Sequence, residues 1–318
     1  MATEYNKKNY NKPLLSLCIP TYNRAKYLES TIKSIVLQDE FINGKVEIII
    51  SDNASSDNTQ SMCLNYEKQY NNFYYFRNEV NIYDRNFPLS LSRANGIYRK
   101  LLNDSHIYLP KALNYMCDII AKHYDDKPYI YWAIARFTTN RVVNGEYRCD
   151  YEKFLTITGE HVTNIVSFGM WESDEQYINN DSCELKLWQA EESLKLAKIH
   201  RDIIIYTNVL VEEQIVINKD ISYNVFEIFH DNYLKILSKY TSSETTISKI
   251  KINMLFDTFY HWRLKWDDNQ SNLQFDRNNS DLPSEIANAY SNNVYYIFYL
   301  LKIRIAEFCR KIKRYFFD

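Results

Sequence analysis

The sequence predicts an α/β fold with a mostly parallel central sheet, followed by a mainly helical C-terminal region. Two observations carry this. Short β-branched or aromatic runs alternate with helix-spaced segments across residues 13–137, the pattern of a parallel sheet with crossover helices. Beyond residue 140 the alternation fades and helical spacing dominates.

The elements follow in order. Residues 14–19 (LLSLCI) are a buried-strand run that PTYNR, 20–24, breaks. Residues 27–37 place Leu28, Ile32, Ile35 and Val36 at helical spacing. Residues 46–50 (VEIII) form a second strand, ended by Ser51, Asp52 and Asn53. Residues 57–70 read as a helix with Asp57 at its N-cap. Residues 73–76 (FYYF) are a third strand, 87–95 a helix, 98–102 a fourth strand, and 109–123 a helix with Pro110 in its first turn. Residues 129–137 (YIYWAIARF) form a further strand. A helix at 185–200, strands at 203–209 and 215–217, and helices at 223–240 and 247–264 come next. Residues 266–281 are polar and read as a linker. The predicted division is 13–220, in halves 13–137 and 138–220, then a helical region 221–318.

Composition excludes several classes. A net charge of −2 and a pI near 6.3 rule out a bulk electrostatic nucleic-acid binder. Five glycines, none spaced as a Walker loop or GxGxxG, rule out a glycine cradle for phosphate. Six cysteines without a CxxC pair read as buried free thiols in a reducing compartment. Residues 1–12 are polar, with no secretion signal. No run of about 18 apolar residues predicts a bilayer span. A cytoplasmic location follows as the expectation.

Open parallel sheets bind ligands beyond the carboxyl ends of their strands. Those ends carry polar groups in turn: PTYNR at 20–24, SDN at 51–53, Asn81 to Asn86, and Asn103, Asp104, Ser105 and His106.

LLSLCIPTYNRAKYLESTIKSI, then VEIIISDNASSDNT, then NEVNIYDRNFPLSLSRANGIYRKLLNDSHIYLPKAL closely resembles the nucleotide-sugar domain of family 2 glycosyltransferases. Among these the chain looks most like abequosyltransferase-like enzymes of bacterial surface polysaccharides. The resemblance implies the GT-A fold, a Rossmann-like α/β sandwich. It makes 13–137 the nucleotide-sugar half and 138–220 the acceptor half. It implies transfer of a sugar from a nucleoside diphosphate to a glycan or lipid-linked glycan, with a divalent cation, Mn²⁺ or Mg²⁺. Pro20, Thr21, Tyr22 and Arg24 would line the base pocket, and Asp52 would accept a hydrogen bond from the base. The resemblance also places Asn53 at the nucleotide; the plainer reading of Asn53 and Asp57 is that they shape the turn and cap the helix. Asn81 and Asp84 would approach the ribose and donor sugar, where relatives commonly have glycine in place of Tyr83.

The metal motif departs from the family. The usual DxD is DxH here: Asn103 precedes Asp104, Ser105 and His106, with Asp104 and His106 as the implied ligands. The departure keeps open a silent nucleotide-sugar-binding partner in a glycan-assembly complex. The catalytic base is expected after the metal motif. Asp181, Glu184, Glu191 and Glu192 fall near that window, and Glu191 in WQAEESL is chosen. The plain alternative is a surface pair of Glu191 with Lys195.

The tail, 294–318, repeats Ile297, Leu301, Ile305, Phe308, Ile312 and Phe316 at helical spacing, accompanied by Lys302, Arg304, Arg310, Lys311, Lys313 and Arg314. This basic amphipathic helix lies either on its own domain or on an anionic membrane leaflet. The latter makes the protein peripheral on the inner face of the cell membrane.

Overall fold

The computed structural model describes residues 12–134, 145–179, 183–216, 219–221, 223–266, 273–275, 277 and 280–317. Two compact units emerge, Met1–Gln214 and Ile215–Asp318.

In the first unit the chain runs β1 (Leu15–Thr21), α1 (Ala25–Val36), α2 (Asp39–Ile42), β2 (Val46–Asp52), α3 (Thr59–Gln69), β3 (Phe73–Arg77), α4 (Asn86–Ser92), β4 (Tyr98–Leu101), β5 (His106–Tyr108), α5 (Ala112–Lys122), β6 (Tyr129–Trp132), β7 (Glu146–Cys149), α6 (Tyr151–Thr158), β8 (Gly169–Trp171), α7 (Trp188–His200), β9 (Ile203–Tyr206) and β10 (Val211–Glu213). The central sheet has the order β3-β2-β1-β4-β8. Its first four strands are parallel and β8 is antiparallel to β4. β1 and β2 are buried along nearly their whole length, which is why they read as continuous apolar runs rather than alternating ones.

Two features lock the strands. Glu47 is buried on β2 and accepts from Ser16 Oγ at 2.6 Å and from the Asn95 amide at 2.7 Å. The chain at Gly96 passes so close that a Cβ there would lie 2.3 Å from Ser16 Oγ. Asp57 serves two helices at once. Its carboxylate accepts from the Ala25 amide at 3.0 Å, at the start of α1, and from the Thr59 amide at 3.0 Å, at the start of α3. Burial opposes its ionisation, but the bonds from Thr59 and Ala25 outweigh that and hold its carboxyl below the ordinary range. The α3 cap position itself is Asn58, so Asp57 caps from one residue further out.

Several expectations need correction. Pro110 precedes α5 instead of entering its first turn, because Lys111 takes a left-handed φ of 65°. Residues 129–132 leave the central sheet for a separate one, ordered β6-β9-β7; 135–137 lie outside the described residues. The strand expected at 215–217 is instead β10, which pairs with β5; Ile217 lies outside the described residues. Cysteines 18, 63 and 117 are buried, but Cys309 is exposed.

The second unit contains β11 (Lys219–Ile221), a π-helical turn at Glu227–Asn232, α8 (Tyr233–Tyr240), α9 (Glu244–Phe256), α10 (Thr258–Trp266), β12 (Leu273–Phe275), α11 (Leu282–Tyr290) and α12 (Val294–Phe317). The expected linker contains β12, paired with β11 in parallel. His230 sits on the π-turn, stacked on Phe226 at 4.4 Å and against Tyr290 at 5.5 Å. Burial lowers its pKa, against the opposing hydrogen bond to Asp231. The folded unit therefore binds this proton less readily than the unfolded chain. Its contribution is full above about pH 6.5, the unfolded value, and is lost as pH falls below it. Melts of the wild type are expected to show a decline in that window that His230→Phe reduces. Equal slopes for the two proteins would assign the decline elsewhere.

α12 has two faces. Tyr299 and Ile303 are buried, while Val294, Ile297, Phe298, Leu301, Ile305 and Phe308 are each more than half exposed. Lys302 donates to the Phe256 carbonyl at 3.0 Å and lies 3.7 Å from the Tyr260 ring centroid. Arg310 donates to the Leu264 carbonyl at 3.1 Å. Both cations thus satisfy carbonyls at helix C-termini, where the macrodipole favours positive charge. Among the described residues, no helix is long and apolar enough to cross a membrane.

Candidate functional site at the carboxyl edge of the sheet

Parallel pairing aligns the strand ends. Thr21 is the register partner of Asp52, and Asp52 of Arg77. The polar segments after β1, β2, β3 and β4 therefore share one edge.

Asp104 is fixed from two sides. Thr21 Oγ1 donates to Asp104 Oδ2 at 2.8 Å, and Thr31 Oγ1 on α1 donates to the Asp104 carbonyl at 3.0 Å. Asn103 shapes the same turn, its Oδ1 accepting from the Ser105 amide at 3.0 Å and hydroxyl at 2.7 Å. His106 opens β5 and is half-buried, as is Asp104. A carboxylate and an imidazole two residues apart fit a divalent cation as partial ligands.

Asp52 is wholly buried. It accepts from the Ser55 amide at 2.9 Å and the Tyr75 hydroxyl at 2.6 Å, and lies 3.8 Å from Arg77 Nε. Burial first, then the hydrogen bond to Asp52 and its charge, pushes the Tyr75 pKa upward. Asp52→Ala is therefore expected to destabilise the fold, by about 1.5–3 kcal/mol per charged hydrogen bond lost. Chemical unfolding beside nucleotide calorimetry checks this. Unchanged stability with weakened nucleotide binding would make Asp52 a ligand contact rather than a support.

Asn53 is a hub. Its Nδ2 donates to Asn81 Oδ1 at 2.6 Å, and its Oδ1 accepts from the Ile82 amide at 2.9 Å. Asn81 also accepts from the Tyr83 amide at 2.9 Å. Together they hold Tyr83 at a φ of 53°, the left-handed conformation that glycine adopts without strain. Behind them Asn86, Asn78 and Arg93 close a network on Ser51. Sequence reading did not single out Asn78 and Arg93, although both lie in the segment that carries the family resemblance. Asp84 Oδ2 is buried without a hydrogen-bond partner. Burial raises its pKa to about 6, opposed by the Lys186 charge.

Pro20 and Arg24 are half-buried and Tyr22 exposed at the β1 end. Arg24 lies 5.9 Å from the Tyr27 ring centroid. Glu191 stands in the first turn of α7 and is buried, which removes the surface-pair alternative. Lys195 pairs instead with Glu192, at 3.3 Å. Glu192 is 1% exposed, and burial raises its pKa to about 7, against the pull of Lys195. Nothing in a single sequence separates two adjacent glutamates by burial. Asp181 lies outside the described residues.

Residues 16–164, slightly under half the chain, match the family described as Glycosyl transferase family 2. Abequosyltransferase RfbV of Salmonella typhimurium is 52% identical over 87 residues, 27% of this chain and 26% of the relative. The GalNAc(5)-diNAcBac-PP-undecaprenol beta-1,3-glucosyltransferase of Campylobacter jejuni is 38% identical over 104 residues, 32% of this chain and 33% of the relative. The chain thus aligns with only a quarter to a third of these curated relatives. S. aureus TarS 1–349 in complex with UDP-GlcNAc superposes with a TM-score of 0.55 at 15% identity, over 80% of this chain and 76% of that one. Mannosyltransferase PcManGT from Pyrobaculum calidifontis, in complex with GDP-Man and Mn²⁺, gives 0.51 at 13% identity, over 95% and 78%. These likenesses establish the GT-A fold.

Proposed function

This chain carries a glycosyl transferase family 2 domain at residues 16–164, and on that premise we propose that it transfers a sugar from a nucleoside diphosphate to a glycan or lipid-linked glycan in bacterial surface polysaccharide synthesis. The observation that carries the reading is the Asp104 carboxylate, held by Thr21 at the carboxyl edge of the sheet.

The base pocket is formed by Pro20, Thr21, Tyr22 and Arg24, with Asp52 bracing its floor. Asn53, Asn81 and Asp84 face the ribose and donor sugar. The unpartnered Asp84 oxygen is an acceptor suited to a sugar hydroxyl. Asp104 and His106 would hold the cation, and the imidazole would favour Mn²⁺ over Mg²⁺. When bound, that cation supplies Lewis-acid stabilisation of the departing diphosphate. Glu191, or Glu192 beside it, takes the proton of the acceptor hydroxyl. The hydroxyl oxygen bonds to the anomeric carbon as the bond to the phosphate oxygen breaks, and configuration inverts.

The outer face of α12 fits an anionic membrane surface. Its exposed apolar side chains share a helix with exposed Arg304. The sequence adds Lys311, Lys313 and Arg314, against Glu307 alone. Apolar burial and cationic attraction act together at such an interface. The enzyme would then be peripheral to the membrane, close to lipid-linked acceptors.

A thermal-shift screen of nucleoside diphosphates, with and without Mn²⁺, tests the donor site. A ligand at a hundred times its Kd adds about 2.7 kcal/mol of apparent stability. A nucleotide-specific, Mn²⁺-enhanced shift is expected. No shift with any nucleotide contradicts the reading.

A further inference from the structure

We infer that Arg77 reads the nucleobase of the donor and selects a base whose edge presents a carbonyl oxygen, as uracil and guanine do, over one that presents an amino group, as cytosine and adenine do; the inference rests on the nucleotide-sugar reading above. The side chain expected to meet the base, Asp52, is out of reach. None of its side-chain surface is exposed, against 35% for Arg77. Both of its carboxylate oxygens are already engaged. Oδ1 accepts from the Ser55 amide at 2.9 Å, and Oδ2 accepts from the Tyr75 hydroxyl at 2.6 Å. Arg77 Nε lies 3.8 Å from the same Oδ2. The carboxylate therefore faces its neighbours in the fold, and the guanidinium beside it stays open.

Arg77 is pinned to the rim of the same edge. It ends β3 as the register partner of Asp52, and its Nη2 donates to the Ser55 carbonyl at 3.0 Å. Ser55 Oγ accepts from the Asn23 amide at 2.9 Å, and Asn23 Oδ1 accepts from the Ser56 amide at 2.7 Å. The loop after β1, with Tyr22 and Arg24, is thereby tied to the loop after β2, and Arg77 leans on that joint. Asn23 and Ala54 take left-handed φ values of 52° and 65° in these loops, non-glycine strain that persists only where surrounding bonds hold it. The strand order β3-β2-β1-β4 sets the reach. Thr21, which holds Asp104, ends β1, and Arg77 ends β3. Two strand spacings of about 4.8 Å separate them, the span of a nucleoside whose phosphates meet Asp104.

The chemistry of the guanidinium sets the preference. It carries five N–H donors and no acceptor. Ser55 takes one donor of Nη2, and among the described residues Nη1 has no hydrogen bond or ion pair. The open side of the fork therefore offers donors alone. Uracil meets it with O4 and guanine with O6, whereas cytosine and adenine turn an amino N–H toward it. Ser55 and the Asp52 charge hold the fork in place, so the mismatched donors face each other and the wrong base is penalised as well as the right one favoured.

Calorimetric titration of the full chain with UDP, GDP, CDP and ADP, each with Mn²⁺ present, tests this. The wild type is expected to bind UDP or GDP at least about tenfold more tightly than CDP and ADP, the scale of one well-placed base contact. Arg77→Gln, whose amide both donates and accepts, is expected to lose that preference, and a melt beside it establishes that the variant is folded. A wild type that binds all four alike, or that prefers CDP or ADP, overturns the inference without any variant. Arg77→Gln overturns it if the wild-type ranking survives. Equal weakening of all four by the variant overturns it as well, since Arg77 would then hold the phosphates or the ribose. If the wild type binds none of the four, the nucleotide-sugar reading falls and the inference falls with it.

Discussion

Asp104→Asn is expected to lower donor turnover by about 10²–10³-fold, the scale for removing one preorganised group that stabilises developing charge. The substitution keeps the shape of the side chain, and its amide oxygen still accepts from Thr21 Oγ1, 2.8 Å away in the wild type. Stability should therefore change by no more than about 1 kcal/mol, the net worth of one ordinary hydrogen bond. What is lost is the negative charge. Mn²⁺-dependent nucleotide binding should fall with turnover, because the same carboxylate would serve both. Turnover measured across a Mn²⁺ titration, with a melt alongside, checks the expectation. Full turnover with full Mn²⁺ stimulation would remove Asp104 from the metal site.

The second large effect concerns α12. Deleting the helix is the obvious test of membrane binding, but the structure makes it a poor one. Tyr299 and Ile303 are buried, and Lys302 and Arg310 satisfy carbonyls of α9 and α10. Deletion would therefore disturb the second unit whatever the outer face does. Leu301→Glu with Ile305→Glu alters that face alone, since both residues are more than half exposed. Each fully buried Leu or Ile is worth about 1.5–3 kcal/mol. The pair should weaken binding to phosphatidylserine vesicles on the order of a hundredfold or more, with little change in melting temperature. Wild-type binding should weaken with salt without vanishing, because only the cationic part is screened. Co-sedimentation at low and high salt decides it. A wild type that ignores vesicles at low salt rules out the membrane surface.

The fold of residues 13–132 was legible because its signals are local. LLSLCI and VEIII are apolar apart from Ser16 and Glu47, which bond to each other, and β1 and β2 are buried strands. PTYNR and SDN begin inside the ends of β1 and β2, Asn103 to Ser105 follow β4, and parallel register brings these strand ends to one edge. What pairs with what across the chain left no such trace. The Thr21 bond to Asp104, the bond of Arg77 to the Ser55 carbonyl, and the closure of Asn78 and Arg93 on Ser51 are all long-range. Tyr83 shows the difference well. A left-handed φ there explains why glycine suits the position, yet this chain holds a tyrosine in place with Asn53 and Asn81. The tail was legible as an amphipathic helix, but its two faces were not. The spacing of Ile297, Leu301, Ile305 and Phe308 marked one apolar face for the domain or for a membrane, and the fold buries Tyr299 and Ile303 on the opposite side while leaving that face exposed. Only the packing partners of α12 decide which apolar side turns inward.

Release of nucleoside diphosphate from a panel of nucleotide sugars, measured with Mn²⁺ and again with the metal chelated, tests the central claim most directly. A glycosyltransferase of this fold should hydrolyse its own donor slowly without an acceptor, do so with one nucleotide sugar well above the rest, and stop when the metal is removed. A chain that binds a nucleotide sugar yet releases no diphosphate from any of them, with Mn²⁺ present, would be a silent binding partner and not a transferase.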